Sequence, residues 1–136
     1  MKLTNFYYIS ALVALGRSSP ARFVSENLLI IPGLLTWTVS SIFFDMIITE
    51  VSISASLARV FIEILISYLV LLKVFQENNK KERIVPAYIT IIGANSVAWS
   101  LGLLIFFMTD SVNASFSLTA ALLASVYLNV FRFTLE

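Results

Sequence analysis

Three ionisable residues, Asp45, Arg59 and Glu63, stand inside stretches that are otherwise long and apolar. Ionisable side chains are costly in hydrocarbon, so within membrane segments they pair with one another or line a polar pathway. Arg59 and Glu63 are four residues apart and share one face of a helix. If the chain reverses near Val51–Ser52, Asp45 lies at the depth of Arg59, which predicts one buried cluster of net charge −1. This cluster is either structural ion pairing or a site for a polar or proton-linked substrate.

Two further pairs of side chains have the spacing of a binding surface. Asn95 and Trp99, four residues apart, place an amide and an indole on one helix face within an apolar stretch. Such a pair binds a sugar by hydrogen bonding and stacking, or it makes an interhelical hydrogen bond and fills space. Lys73 and Arg132 each end an apolar stretch, where a cation either reaches to the membrane surface or attracts a lipid phosphate.

The residues that many enzymes and metal sites need are missing, because the chain has no Cys and no His. Disulfides, thiolate metal sites, zinc hydrolases, haem ligation through His and His-based proton relays are therefore excluded. No nucleophile–base pair is evident, so we expect neither an enzyme nor a bound metal or cofactor. The net charge of +1 gives no indication of a nucleic-acid partner.

The composition indicates a membrane protein. Of 136 residues, 59% are hydrophobic and 12% are charged, and the mean hydropathy of +0.92 is rare for a soluble domain of this size. About 20 apolar residues are needed to cross the hydrocarbon core as a helix. Strand-like alternation is absent, so we predict an all-α integral membrane protein with four transmembrane helices, at roughly Leu28–Thr49, Ile53–Phe75, Ile84–Met108 and Ala114–Phe133.

The two halves of the chain repeat each other. A Tyr-Leu pair followed by a cation, at 68–73, recurs at 127–132 with an offset of 59 residues, and Gly33 recurs as Gly93 with an offset of 60. Each unit is long enough to cross a bilayer twice. We therefore predict two similar hairpins in one transmembrane domain over 27–136, with repeat one at 27–76 and repeat two at 84–136.

The distribution of cations predicts the orientation. Arg59 is inside a span, whereas the other eight cations fall on one side of the predicted membrane: Lys2, Arg17, Arg22, Lys73, Lys80, Lys81, Arg83 and Arg132. The positive-inside rule then places both termini and the 76–83 loop in the cytoplasm. Both hairpins run in the same direction, so they are parallel repeats in a multi-pass protein of the cytoplasmic membrane.

The first 26 residues form a separate segment. Leu3–Leu15 is apolar and aromatic, but as a helix it is only about 20 Å long and too short to span comfortably. Gly16 is suited to end this helix, and Ser19-Pro20 is typical of the start of the next one. We predict an amphipathic helix at the cytoplasmic interface, with Arg17 and Arg22 near lipid headgroups. A signal peptide is the rival interpretation.

Several short motifs resemble the GtrA-like family of small four-span membrane proteins. The family's opening pattern of glycine followed by Asn-Thr is similar to Gly33 with Thr36, and its preceding Arg-Phe is similar to Arg22-Phe23. The basic-aromatic endings of its second and fourth spans are similar to 68–75 and 127–133, although Tyr stands here where the family has Asn. The resemblance covers roughly residues 22–136.

The resemblance implies translocation of a polyprenyl-phosphate-linked monosaccharide to the outer leaflet for modification of a cell-surface polysaccharide. It also implies a membrane glycosyltransferase as a partner. In that role Lys73 and Arg132 would bind the phosphate at the inner mouth. The groove that passes the sugar would be lined by Asp45, Arg59, Glu63, Asn95 and Trp99.

Passage of a lipid headgroup requires a lateral polar groove, and four short helices enclose little volume. We therefore expect a homo-oligomer, a dimer or larger, surrounded by membrane lipids. Small residues four apart allow close packing within or between subunits, and they occur at Ala94, Ala98 and Gly102 and at Ser117, Ala121 and Ser125. Two alternatives are a scaffold subunit that recruits a glycosyltransferase without transport, and a small four-helix multidrug-type exporter with Glu63 as its titratable acid.

Overall fold

A computed structural model of the chain describes residues 2–15, 17 and 29–135. Five α-helices account for almost all of this part of the chain, which contains no strand: α1 Leu3–Ala14, α2 Ile30–Phe44, α3 Ile53–Glu77, α4 Ile84–Thr109 and α5 Val112–Leu135. A π-helical turn, Asp45–Thr49, continues α2, and a 3₁₀ turn, Lys81–Arg83, precedes α4. The predicted all-α architecture of four long helices after a short one is confirmed.

Four of these helical stretches are long and apolar enough to cross a membrane: Ile30–Thr49, Ile53–Glu77, Lys81–Thr109 and Val112–Phe133. They agree with the predicted spans to within a few residues. The predicted roles of Gly16, Ser19-Pro20 and Arg22, and the beginning of the first span at Leu28, lie outside the described residues. We call the end of the bundle with residues 50–52 and 110–111 the turn end, and the end with residues 78–83 the loop end.

The sequence repeat is also a repeat of backbone structure at the turn end. Glu50 and Asp110, 60 residues apart, both end the first helix of a hairpin in the left-handed conformation, with φ of 53° and 52°. The next helix in each hairpin begins with a serine whose hydroxyl accepts a hydrogen bond from a backbone N–H three residues on, at Ser52 and Ser111, 59 residues apart. The distance in sequence between corresponding residues of the two hairpins therefore changes from 60 before the turn to 59 after it, because the second turn is one residue shorter.

α4 is the central helix of the bundle. Half of its apolar span is buried, against 22% of the corresponding span in α3. The small residues Ala94, Ala98 and Gly102 face the interior, where the Ser115 hydroxyl donates a 2.6 Å hydrogen bond to the Gly102 carbonyl oxygen. On α5, Ser117 and Ala121 face outward. The α4 stripe therefore packs within the chain, whereas part of the α5 stripe remains on the surface.

Two repeat-related glycines make a notch that holds the N-terminal helix. The Phe6 ring lies against both Gly33 and Gly93, and the Ser10 hydroxyl also lies against Gly93. Because glycine has no side chain, α1 approaches closely enough to bury Phe6 and Ser10 completely. The helix that was predicted as an interfacial segment thus packs on the bundle, while its position relative to a membrane surface stays a prediction.

α1 runs antiparallel to α4, with its C-terminal residues toward the loop end. Tyr7 hydrogen-bonds Thr36 and lies beside Ser96, whereas Val13 clusters with Ile89, nearly two turns closer to the start of α4. The Asn129 amide of α5 donates a 2.7 Å hydrogen bond to the Val13 carbonyl oxygen. α1 is therefore fixed to three of the four long helices.

Replacing Gly93 by Ala should destabilise the bundle, because the added methyl group would overlap Ser10 and Phe6. Overpacking of this kind costs roughly 1–3 kcal/mol, measurable as a lower thermal unfolding temperature of the purified protein in detergent. Leu104→Ala, on the exposed side of the same helix, is the matched control and should change little. Equal stability of the two variants would contradict the described packing of α1.

Candidate functional site

The predicted charge cluster is present and its members are in direct contact. Arg59 Nε lies 2.8 Å from Asp45 Oδ2, and Arg59 Nη1 lies 2.8 Å from Glu63 Oε2. The first contact crosses between the two helices of the first hairpin, and the second joins successive turns of α3. The prediction of one cluster at one depth is therefore confirmed.

The tight turn between α2 and α3 explains why Asp45 and Arg59 meet. Asp45 is the first residue of the π-helical turn, and the left-handed Glu50 and the Ser52 cap reverse the chain directly after it. A π-helical turn locally changes which way side chains point and is frequent at functional sites. Arg59 follows nearly two turns into α3 and lies at the level of Asp45, which it contacts.

Serine hydroxyls complete the cluster. Ser56 donates a 2.6 Å hydrogen bond to Asp45 Oδ2, and Arg59 Nη2 donates to the Ser41 hydroxyl. Arg59 thus uses three of its donors on three acceptors, which holds the guanidinium in one orientation. Ser56 was not among the residues predicted from sequence, although its spacing of three from Arg59 places both on the same side of α3.

Trp99 of the second hairpin forms an aromatic wall beside the cluster. The Arg59 guanidinium carbon lies 5.0 Å from the centre of the Trp99 ring, within the range of a cation–π interaction. Phe44 packs edge-on against Trp99 at 4.8 Å and against Phe116 at 5.3 Å between ring centres. The cluster of the first hairpin is therefore supported by aromatic residues of α2, α4 and α5.

A groove of about 310 Å³ opens beside the cluster toward the turn end. Within it the Asp45 side chain is 9% exposed and the Arg59 side chain 38% exposed. A buried acceptor, a partly exposed guanidinium and an indole face thus share one open space. The groove is lined by Asp45, Thr49, Val51, Ala55, Arg59, Trp99 and Phe116.

Glu63 and Asn95, both predicted to line the groove, lie outside its lining. Glu63 is one turn beyond Arg59, with its side chain 24% exposed, and it reaches the groove only through Arg59. Asn95 is fully buried, and its amide donates a 2.8 Å hydrogen bond to the Ile91 carbonyl oxygen of its own helix. The four-residue spacing predicted Asn95 and Trp99 on one face of α4, but the helix is buried all round at residues 89–96, which keeps Asn95 out of the groove.

Lys73 and Arg132 lie at the loop end of α3 and α5 and are exposed. Neither makes an ion pair or hydrogen bond within the described residues. Arg83, which sequence reasoning did not single out, instead donates a 2.6 Å hydrogen bond to the Phe133 carbonyl oxygen and stacks 5.0 Å from the Phe133 ring. It thereby caps the end of α5, where cations are favourable.

The groups that line the groove are suited to binding a ligand. The described residues bring together no group of three metal-ligating side chains. Asp45 and Arg59 provide fixed hydrogen-bonding groups, and Trp99 provides a flat apolar surface. Such a combination recognises a polar ring or a polar headgroup.

Arg59→Gln should destabilise the protein strongly, because it leaves Asp45 and Glu63 without their shared cation. We expect a loss of roughly 3 kcal/mol, the lower end of the range for breaking a buried pair, since Arg59 is partly exposed. Thermal unfolding in detergent measures this loss, with the exposed Arg132→Gln as the control. If both variants unfold at the same temperature, the ion pairs contribute nothing to the fold.

Comparison with known proteins gives no relative: no family model, no curated protein and no solved structure matches this chain.

Proposed function

We propose that this protein carries a polyprenyl-phosphate-linked monosaccharide from the inner to the outer leaflet of the cytoplasmic membrane, for modification of a cell-surface polysaccharide. The observation that carries the proposal is the groove itself. An arginine held by carboxylates lies beside an indole in an open groove of a bundle that exposes many large apolar side chains. A sugar ring offers hydroxyl groups to the former and an apolar face to the latter.

The charge distribution supports an assignment of the two ends. The loop end carries Lys73, Lys80, Lys81, Arg83 and Arg132, so the positive-inside rule assigns it to the cytoplasm. The groove then lies in the outer half of the membrane, since it opens toward the turn end. Arg59 is only about 10 Å along α3 from its start at the turn end.

The groove and the basic loop end are too far apart to bind one headgroup together. Fourteen residues of α3 separate Arg59 from Lys73, which is about 21 Å along a helix. A sugar phosphate is shorter than this distance. The proposal therefore has two successive stations: Lys73 and Arg132 attract the phosphate at the inner surface, and Trp99 with Asp45 binds the sugar before it leaves at the outer surface.

The likeness of the glycine and basic-aromatic motifs to the GtrA-like family is the second support for this proposal. It also suggests a membrane glycosyltransferase as a partner that supplies the lipid-linked sugar. A homo-oligomer fits the shape of the bundle, because α3 lies at its edge with most of its surface exposed. A second copy or lipid would cover that surface.

The geometry favours this proposal over a proton-driven multidrug exporter. Such an exporter needs an acid that is free to exchange protons with its substrate. Glu63, the candidate acid, is held at 2.8 Å by Arg59 outside the lining of the groove. A scaffold subunit without transport would bind a glycosyltransferase but move no lipid, and the transport experiment distinguishes it.

Transport is tested with the purified protein in liposomes that contain a labelled polyprenyl-phosphate monosaccharide. We expect the protein to accelerate the appearance of the sugar in the opposite leaflet, detected with a membrane-impermeant sugar-modifying enzyme. Trp99→Ala should lower this rate by roughly 2–10-fold, the equivalent of one aromatic contact of about 0.5–1.5 kcal/mol. Leu104→Ala should leave it unchanged. The same rate with and without protein would refute transport.

The orientation is tested by cysteine labelling, which is simple because the natural chain has no Cys. Glu82→Cys, in the exposed loop end, should react with an impermeant maleimide only after cells are opened. Asn113→Cys, in the exposed turn end, should react in intact cells. The reverse pattern would place the groove in the inner half of the membrane and overturn the two-station scheme.

A further inference from the structure

The charge cluster leaves one negative charge without a counterion. Two carboxylates share the single guanidinium of Arg59, so with both carboxylates ionised the group carries a net charge of −1. Arg59 contacts both carboxylates at 2.8 Å, so its single positive charge is divided between Glu63, outside the lining of the groove, and Asp45. The charge of Asp45, which lines the groove, is therefore only partly compensated. An uncompensated charge is costly within a membrane, so a cation bound there would be favourable.

Hydrogen bonding leads to the same conclusion. Both hydrogen bonds to Asp45, from Ser56 and Arg59, go to Oδ2. Asp45 Oδ1 has no hydrogen-bond partner among the described residues and keeps accessible surface, in a residue that is 6% exposed overall. A carboxylate oxygen only accepts hydrogen bonds. The groove thus presents an accessible acceptor oxygen that a donor group of a ligand can use.

Arg59 itself demonstrates which chemistry the groove accommodates. Its guanidinium is an organic cation that lies between two carboxylates and over the face of an indole. These are the elements that recognise cationic ligands in general. The groove has room for one more such group beside Asp45, since about 310 Å³ remains open next to Trp99 and Phe116.

We propose that the groove selects a sugar that carries a protonated amino group. The ammonium group donates to Asp45 and cancels the net charge, while the ring lies against Trp99. A neutral sugar loses the charge compensation, and an acidic sugar adds a second negative charge. The claim that the transported lipid carries an amino sugar rests on the proposed function. The claim that the groove binds a soluble amino sugar does not.

Binding is measured on the full chain in detergent with two soluble probes that differ by one charge. Methyl glucosaminide and its N-acetyl derivative are titrated in slightly acidic buffer, where the free amine is protonated. The readout is tryptophan fluorescence, and Trp99→Phe must abolish the signal because the second tryptophan, Trp37, is fully buried. We expect the amino sugar to bind roughly tenfold more tightly.

Glu63→Gln tests the cause of the preference, because it removes the excess negative charge without changing a residue that lines the groove. The preference for the amino sugar should fall to about twofold or less. Glu77→Gln, at the exposed loop end of the same helix, makes the same chemical change elsewhere and should retain the full preference.

Two results would overturn the inference. One is equal or tighter binding of the N-acetyl probe to the natural protein, a comparison that needs no variant. The other is an undiminished preference in Glu63→Gln. The proposed function fails separately: if neither lipid-linked sugar is transported in liposomes but the soluble amino sugar still binds preferentially, the groove is a cation-selective site in a protein of another role.

Discussion

The guanidinium of Arg59 is the group on which the first hairpin depends. Between helices in lipid the hydrophobic effect provides no driving force, so packing and polar contacts must hold α3 in place. α3 buries little surface, and Arg59 joins it to Asp45 and Ser41 on α2 and to Trp99 on α4. The acidic and aromatic groups that contact Arg59 do not close over it, and the groove is the space that they leave open.

The ion pairs were predictable from sequence because they depend on local geometry. A four-residue spacing joins Arg59 to Glu63, and a short turn brings Asp45 to the same level. The contact with Trp99 was not predictable, because it depends on how the second hairpin packs against the first. Asn95 shows the converse: its spacing from Trp99 was visible in the sequence, but α4 is buried all round at residues 89–96, so Asn95 does not line the groove.

The N-terminal helix shows a similar limit. Its length and apolar character predicted a short helix, which is present. Its close packing depends on Gly33 and Gly93 facing the same ring of Phe6 from two different helices. The sequence shows that the two glycines occupy corresponding positions in the repeat. Only the fold shows that a third helix, α1, packs where their side chains would have been.

The two hairpins share the backbone conformation of their turns, but their interior side chains differ. Both hairpins turn through a left-handed acidic residue and a capping serine. At the positions that correspond to Asp45, Arg59 and Glu63, the second hairpin has Ile105, Leu118 and Leu122. One hairpin therefore carries the polar groups, and the other supplies the apolar wall against which they are held.

The notch for α1 has a consequence for assembly in the membrane. α1 is synthesised first, but Gly93 follows Ser10 by more than eighty residues and Asn129 follows later still. The ribosome delivers the chain from its N-terminus, so α1 emerges shortly before α2, which it contacts at Gly33 and Thr36, but long before its partner surfaces on α4 and α5. The complete packing of α1 therefore requires that both hairpins have been inserted and joined.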